Sequence, residues 1–211
     1  MLEQLSQKLK YRLSLPLPGN AAHLKLAHAE RRKNLLHYKT PDDARKGAVL
    51  ILLFPDDHKI KTVMILRQEY DGVHSGQVAF PGGKWEVSDK DLSETAIREA
   101  HEETGILKED VHLIGQLTSL YIPPSNFLVH PFIGAMDSKP DFFPNSKEVQ
   151  KIIEVNIENL SDESIIGEKE IKLSNGLKII TPYYNIEGHT VWGATAMIIS
   201  EFNTLLKEIE H

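Results

Sequence analysis

The chain contains no cysteine. Disulfides, thiolate zinc sites and a cysteine nucleophile are therefore excluded. Long hydrophobic runs are missing too. The longest, Ala48 to Phe54, falls far short of the ~20 apolar residues of a membrane-spanning helix. The opening MLEQLSQKLK mixes charges and lacks the apolar core of a secretory signal. A positive charge balance is absent as well. With 24 Lys and Arg against 30 Asp and Glu, the formal net charge is -6, so the surface as a whole does not attract nucleic acid or an anionic membrane. Among the ten histidines there is no HExxH pair, which removes the zinc-protease pattern. Gly72-Val-His-Ser75-Gly76 lacks the spacing of a nucleophile elbow, so Ser75 is a poor nucleophile and His74 reads as an ordinary loop histidine. These absences leave a soluble, cytoplasmic protein as the expectation, with neither nucleic acid nor membrane as partner.

What is present suits one mixed α/β domain over residues 1–211, with an N-terminal arm at 1–45 and a catalytic core at 46–211. Leu2, Leu5, Leu9 and Leu13 predict a first helix, which LPLPG at Leu15 to Gly19 ends. Residues 20–40 read as basic, polar loop with a short helix. Ala48 to Phe54 predicts a strand buried on both faces, followed by strands at Thr62 to Leu66 and Val78 to Phe80. The last of these is stopped by a Pro81-Gly82-Gly83 turn. Asp91 as N-cap, Glu94 completing a capping box and Gly105 as C-terminal stop bound a helix over Leu92 to Thr104. Further strands are expected at Val111 to Leu117, Phe127 to Ala135 and Lys151 to Val155. Ser174-Asn175-Gly176 marks a hairpin. The spacing of Ile198, Phe202, Leu205, Leu206 and Ile209 predicts a final helix.

Glu99, Glu102 and Glu103 share one face of the predicted 92–104 helix. At i, i+3 and i+4, like charges repel by about 0.2–0.5 kcal/mol per pair. The last turn also disfavours anions through the helix dipole. Two local rules broken within one turn point to function, and three convergent carboxylates suit a hard cation such as Mg²⁺. A solvated acidic face, with Arg98 and His101 alongside, is the plain alternative.

With the glycines included, Gly83-x5-Asp89-x8-Arg98-Glu99-x2-Glu102-Glu103-x-Gly105-Ile106 resembles the Nudix box. Asp89 stands where that family usually has Glu, and one extra residue precedes Arg98. Both departures are usual in its coenzyme A diphosphatase subgroup. The upstream segment from Leu66 to Gly83 is similar to a second signature of that subgroup through Arg67, Gly76 and Phe80-Pro81-Gly82-Gly83. It differs at Gln68, which replaces a small residue, and at Gly72, which replaces an arginine. LPLPG, Tyr121-x-Pro-Pro-Ser-Asn-Phe127 and Trp192-Gly-Ala-Thr-Ala196 extend the likeness over nearly the whole chain.

The resemblance implies an α/β/α sandwich around a mixed β-sheet, with an N-terminal helical arm. It implies hydrolysis of a diphosphate with Mg²⁺ or Mn²⁺ as cofactor and coenzyme A or an acyl-CoA as substrate. The products would be 4′-phosphopantetheine and 3′,5′-ADP. ADP-ribose or a dinucleotide is the alternative substrate, and a non-catalytic binding module of the same fold the alternative class. Glu99, Glu102 and Glu103 are the expected metal ligands, and Glu99 or Glu103 the holder of the attacking water. Glu148 is the candidate general base or extra ligand. Arg98 is expected to orient a carboxylate. Gly82 and Gly83 would supply backbone beside the metal, while Arg67 and Lys84 are candidates for phosphate contact. Arg31, Arg32, Lys33, Arg45 and Lys46 are a supply of cations for a 3′-phosphate, and Tyr121, Phe127 or Trp192 candidates to stack on adenine. Many relatives dimerise, and the apolar face of Leu2 to Leu13 is the surface expected to assist a homodimer.

Overall fold

A computed structural model describes residues 1–34, 39–69, 76–173 and 176–210. Gly72, His74 and Ser75, and the Ser174-Asn175 pair of the expected hairpin, lie outside them. The elements in chain order are helices α1 (Leu2–Leu13), α2 (Asn20–His23) and α3 (Ala29–Asn34) and strands β1 (Arg45–Asp56), β2 (Lys59–Arg67), β3 (Val78–Ala79) and β4 (Gly82–Lys84). Then follow α4 (Leu92–Thr104), β5 (His112–Gln116), β6 (Leu120–Ile122), β7 (Phe127–Ala135), β8 (Val149–Asn156) and α5 (Ile157–Leu160). The chain closes with β9 (Ile166–Lys172), β10 (Lys178–Ile186), β11 (His189–Trp192) and α6 (Gly193–Glu210).

The apolar run at Ala48 to Phe54 explains the layering. Side chains alternate across a strand, and β1 has apolar residues at both parities. Ala48, Leu50, Leu52 and Phe54 join Ala96, Ala100 and Ile106 in one core. Ile51 and Leu53 join Phe202, Leu205 and Leu206 in the other. The sheet is therefore covered by α4 on one face and α6 on the other, the mixed α/β/α arrangement expected. Among the described residues the main sheet runs β3-β2-β1-β7-β5, with β4 on β1, β6 on β7 and β8 on β2. Its β1–β7 pair is parallel and the other pairs are antiparallel, so the sheet is mixed. A separate small sheet, β11-β10-β9, sits beside it.

Three expectations need correction. The two glycines are not only a turn: Gly82–Lys84 is a strand paired with Gly47, Ala48 and Val49 of β1. Gly82 is required there because a Cβ would lie 2.3 Å from the Ala48 carbonyl oxygen. The capping box also closes differently. Asp91 accepts from Ser93 and Glu94 N–H, but the Glu94 carboxylate takes the Lys90 N–H at 2.7 Å, one residue before the cap. Finally, the apolar face of α1 is already used. Leu9 is fully buried, which contributes about 2 kcal/mol, and Leu2, Leu5 and Leu13 pack on the same core. Much of that face is therefore occupied within the chain.

The arm is also pinned by a buried carboxylate. Glu201 of α6 lies 3.0 Å from His23 Nε2, and both side chains are fully buried. Glu201 also accepts from Gly19 N–H at 3.0 Å, the Thr118 hydroxyl at 2.6 Å and Thr118 N–H at 3.2 Å. Burial pushes the Glu201 carboxyl up, but the bonds from His23, Thr118 and Gly19 outweigh it and hold the group below its usual range. This contact ties Gly19 and α2 to α6 and to Thr118.

Candidate active site

The glycine strand and α4 meet at the floor of a cavity of about 700 Å³. α4 starts on the Asp91 cap and stops at Gly105, whose φ of 79° is left-handed. Its register therefore puts Glu99 and Glu103, one turn apart, on the side facing β4. Glu103 is 1% exposed and accepts the Gly82 N–H at 2.8 Å and Arg67 Nη2 at 3.2 Å. Burial pushes its carboxyl up to about 7. Arg67 and the Gly82 N–H pull the other way, while Glu99 and Glu148 add to the rise. Glu99 is likewise raised, first by burial and then by Glu102 and Glu148, against the pull of Arg98. The site concentrates negative charge where water is scarce, an arrangement that a divalent cation would relieve.

Arg98 organises the entry to this floor. Its Nε and Nη2 hold the two oxygens of Asp89 at 2.8 and 3.0 Å. The same Nη2 reaches the Lys84 carbonyl at 3.0 Å, and Nη1 reaches Glu99 at 3.0 Å and Glu102 at 3.2 Å. One planar guanidinium thus ties β4, the loop before α4 and two box carboxylates together. Asp89 accepts in addition from Thr95 Oγ1 and Glu86 N–H. Its carboxyl lies well below the usual range, chiefly through Arg98 and against its own burial. The sequence marked Asp89 only as a departure from a pattern; the structure makes it the seat of Arg98.

Of the expected site residues, Glu99, Glu103, Glu148, Arg67, Gly82, Gly83 and Lys84 all line the cavity. Glu102 does not: its carboxylate is half-exposed and paired with Arg98. Among the described residues no three His, Asp or Glu side chains stand arranged to hold a metal ion. The donor set still fits Mg²⁺ or Mn²⁺, because such a site commonly takes one or two protein carboxylates and fills the rest with water and substrate phosphate. Arg67 is engaged with the Gly82 carbonyl at 2.7 Å as well as with Glu103, so it braces the floor. Lys84 and Glu148 are exposed at the cavity wall.

Gly83 carries a direct consequence. A Cβ there would lie 2.5 Å from the Glu99 carboxyl carbon. That carboxylate is the end of a flexible side chain, so Gly83→Ala is expected to fold and to displace Glu99. Turnover should fall about 100-fold, the scale of an ångström-sized misplacement. A steady-state assay beside a thermal melt checks this; a variant with unchanged turnover would show that Glu99 need not sit where it does.

The rest of the cavity comes from parts that sequence reasoning left scattered. His28 and Arg31 come from the arm, Ile122, Pro124 and Phe127 from around β6 and β7, and Ile179 and Trp192 from the small sheet. Their assembly depends on tertiary contacts, and no local pattern signals it.

Comparison with known proteins shows which family and fold the chain is similar to. The model of the NUDIX domain matches residues 44–171. An uncharacterized Nudix hydrolase NudL of Yersinia pestis is 32% identical over 193 residues, covering 90% of this chain and 88% of that protein. The solved Ap4A hydrolase of C. elegans, a binary complex, matches with a TM-score of 0.53 at 16% identity, covering 78% of this chain and 98% of that one. A MutT/nudix family protein from Enterococcus faecalis matches with a TM-score of 0.53 at 16% identity, covering 91% and 74%. At these identities the structural likeness is one of fold. Among the described residues no helix is long and apolar enough to cross a membrane.

Proposed function

Because the chain belongs to the NUDIX family, we propose that it is a divalent-metal-dependent diphosphatase whose substrate is coenzyme A or an acyl-CoA. The observation that carries this reading is a pair of carboxylates, the buried Glu103 and the partly buried Glu99, facing the glycine strand at the floor of a cavity of about 700 Å³. A pocket of that size accommodates a nucleotide-type ligand. A bound Mg²⁺ or Mn²⁺ would lower the pKa of its water and offset phosphate charge.

Glu99 and Glu103 are the residues that would hold the cation. Glu102 would join them only by leaving Arg98. Gly82 and Arg67 keep Glu103 in place through its two oxygens, and Arg98 holds one oxygen of Glu99. Glu148, exposed on the cavity wall, would take a proton from the attacking water. The oxygen of that water bonds to one phosphorus as the bridging P–O bond breaks, and the other phosphate leaves with the bridging oxygen. Lys84 lines the same wall and would offset charge on the phosphates.

The decisive experiment is a panel of diphosphates with Mg²⁺ or Mn²⁺, read by chromatography and mass. Coenzyme A should give 3′,5′-ADP and 4′-phosphopantetheine and have the highest kcat/KM. A higher value for ADP-ribose or a dinucleotide would reject the substrate, and no turnover of any compound would reject the reaction.

A further inference from the structure

Gln68 and Glu148 stand at the same end of one strand pair. Gln68 follows β2, Glu148 precedes β8, and Arg67 pairs with Val149 beside them. The Gln68 N–H extends that pair, donating to the Glu148 carbonyl at 2.9 Å. Its side chain adds a second bond, from Nε2 to the Ser146 carbonyl at 3.0 Å. A small side chain at this position would keep the first bond and lose the second. Two consecutive residues therefore serve two carboxylates of the cavity. Arg67 braces the Glu103 carboxylate itself, and Gln68 holds the main chain that carries Glu148.

The same segment is tied from the helix side. The last carbonyls of a helix lack partners within it. On α4 the Thr104 carbonyl accepts the Phe143 N–H at 2.8 Å, and the Glu103 carbonyl accepts the Asn145 N–H at 3.1 Å. Asn145 then folds the chain back. Its Oδ1 accepts the Lys147 N–H at 3.1 Å, a bond two residues on that closes a turn. Its carbonyl accepts the Glu148 and Val149 N–H groups at 3.0 and 2.8 Å. The backbone of Glu148 is thus fixed from β2 and from α4, while its side chain is exposed at the cavity. Beyond burial, its charge is one of the causes that raise the Glu99 and Glu103 carboxyls, so it stands close to both.

A carboxylate on a surface loop serves a reaction only when the loop is held in place. We propose that Gln68 and Asn145 are positioning residues that hold the Glu148 loop, and with it the Glu148 carboxylate, at the cavity of Glu99 and Glu103. Neither is among the described residues that line that cavity. The role of Glu148 as proton acceptor rests on the diphosphatase reading above; the hold on its loop does not.

The test is a double-mutant cycle of Gln68→Met and Glu148→Gln, read by kcat and KM on the best diphosphate of the panel with Mg²⁺. Methionine matches glutamine in length and lacks the donor. Gln68→Met should lower kcat about 10-fold, with KM within about twofold and Tm within about 4 °C of wild type. In the Glu148→Gln background the same change should cost less than about twofold, because residues that act as a unit are not additive. Asn145→Ala should behave alike, and it decides if Gln68→Met does not fold. With Glu148→Gln impaired, an additive loss, or wild-type kcat in both positioning variants, overturns the proposal. Wild-type turnover in Glu148→Gln removes the base and overturns the proposal with it.

Hydrogen exchange followed by NMR gives a readout that needs no turnover. The Lys147, Glu148 and Val149 amides should exchange about fivefold faster in Gln68→Met, the scale of one neutral hydrogen bond, while the amides of α4 stay protected. Unchanged exchange overturns the hold whatever the substrate. Faster exchange with no turnover of any compound retains the hold and rejects the diphosphatase reading.

Discussion

Replacing Glu103 with Gln is expected to abolish turnover and yet leave the metal-free protein as stable as before, or more so. The stability half follows from the carboxyl's environment. Burial raises the Glu103 pKa from the ordinary 4.5 to about 7. The folded chain therefore binds more protons than the unfolded chain between those values, so this group's contribution falls as pH rises through that window. Above pH 7 the full cost applies, on the order of 3 kcal/mol at about 1.4 kcal/mol per pH unit. The amide carries no charge and keeps one oxygen to accept the Gly82 N–H or Arg67. Losing the other contact offsets part of the gain, so a rise of a few degrees in Tm at pH 8 is expected, with little change at pH 4.

The activity half follows from the same position. Glu103 is a proposed metal ligand, and a cation contributes several kcal/mol to stabilising the transition state. Its loss should lower kcat/KM by at least about 10³-fold. Mg²⁺ should raise the wild-type Tm through binding to the folded state and raise the variant's much less. A large fall in Tm for Glu103→Gln in metal-free buffer, with no effect of Mg²⁺ on the wild type, would make the cluster structural.

Much of this site was legible because its determinants are local. A cap at Asp91, a stop at Gly105 and three glutamates at helical spacing are all read from fifteen residues, and the helix boundaries agree with them. The strand at Ala48 to Phe54 was legible for the same reason, since both parities are apolar. What was not legible depends on long-range contacts. Gly82 and Gly83 look like turn residues, and only the approach of Ala48 and Glu99 shows why they form a strand without side chains. Strands β6 and β11 are three and four residues long and exist through their pairing. His23 and Glu201 are 178 residues apart, and neither has a neighbour in sequence that marks it. Arg31 is one of several basic residues until Tyr121 fixes it at the cavity.

Asp89→Ala should be the most destabilising of the changes considered. Asp89 is 6% exposed and holds Arg98 through two bonds. Removing Asp89 takes the acceptor from Arg98 Nε and one acceptor from Nη2, while Glu99 and Glu102 still face Nη1, so the loss falls at the low end of that for breaking a buried ion pair, about 3 kcal/mol. For a chain of this length the Tm should drop by roughly 10 °C. The depressed carboxyl sets the pH behaviour. An aspartate held below its ordinary 3.8 contributes stability that is complete above that value and is lost as pH falls further toward the folded pKa. The gap between wild type and variant should therefore be constant from pH 5 to 8 and close in acid. Turnover should fall as well, because the same guanidinium holds Glu99 and the Lys84 carbonyl. Arg98→Lys separates the two roles. The ammonium keeps the charge beside Asp89 but lacks the planar fork that reaches Asp89, Glu99 and Lys84 together. It should retain most of the stability and lose most of the activity. A Lys variant as active as wild type would show that the charge, not the fork, organises the carboxylates.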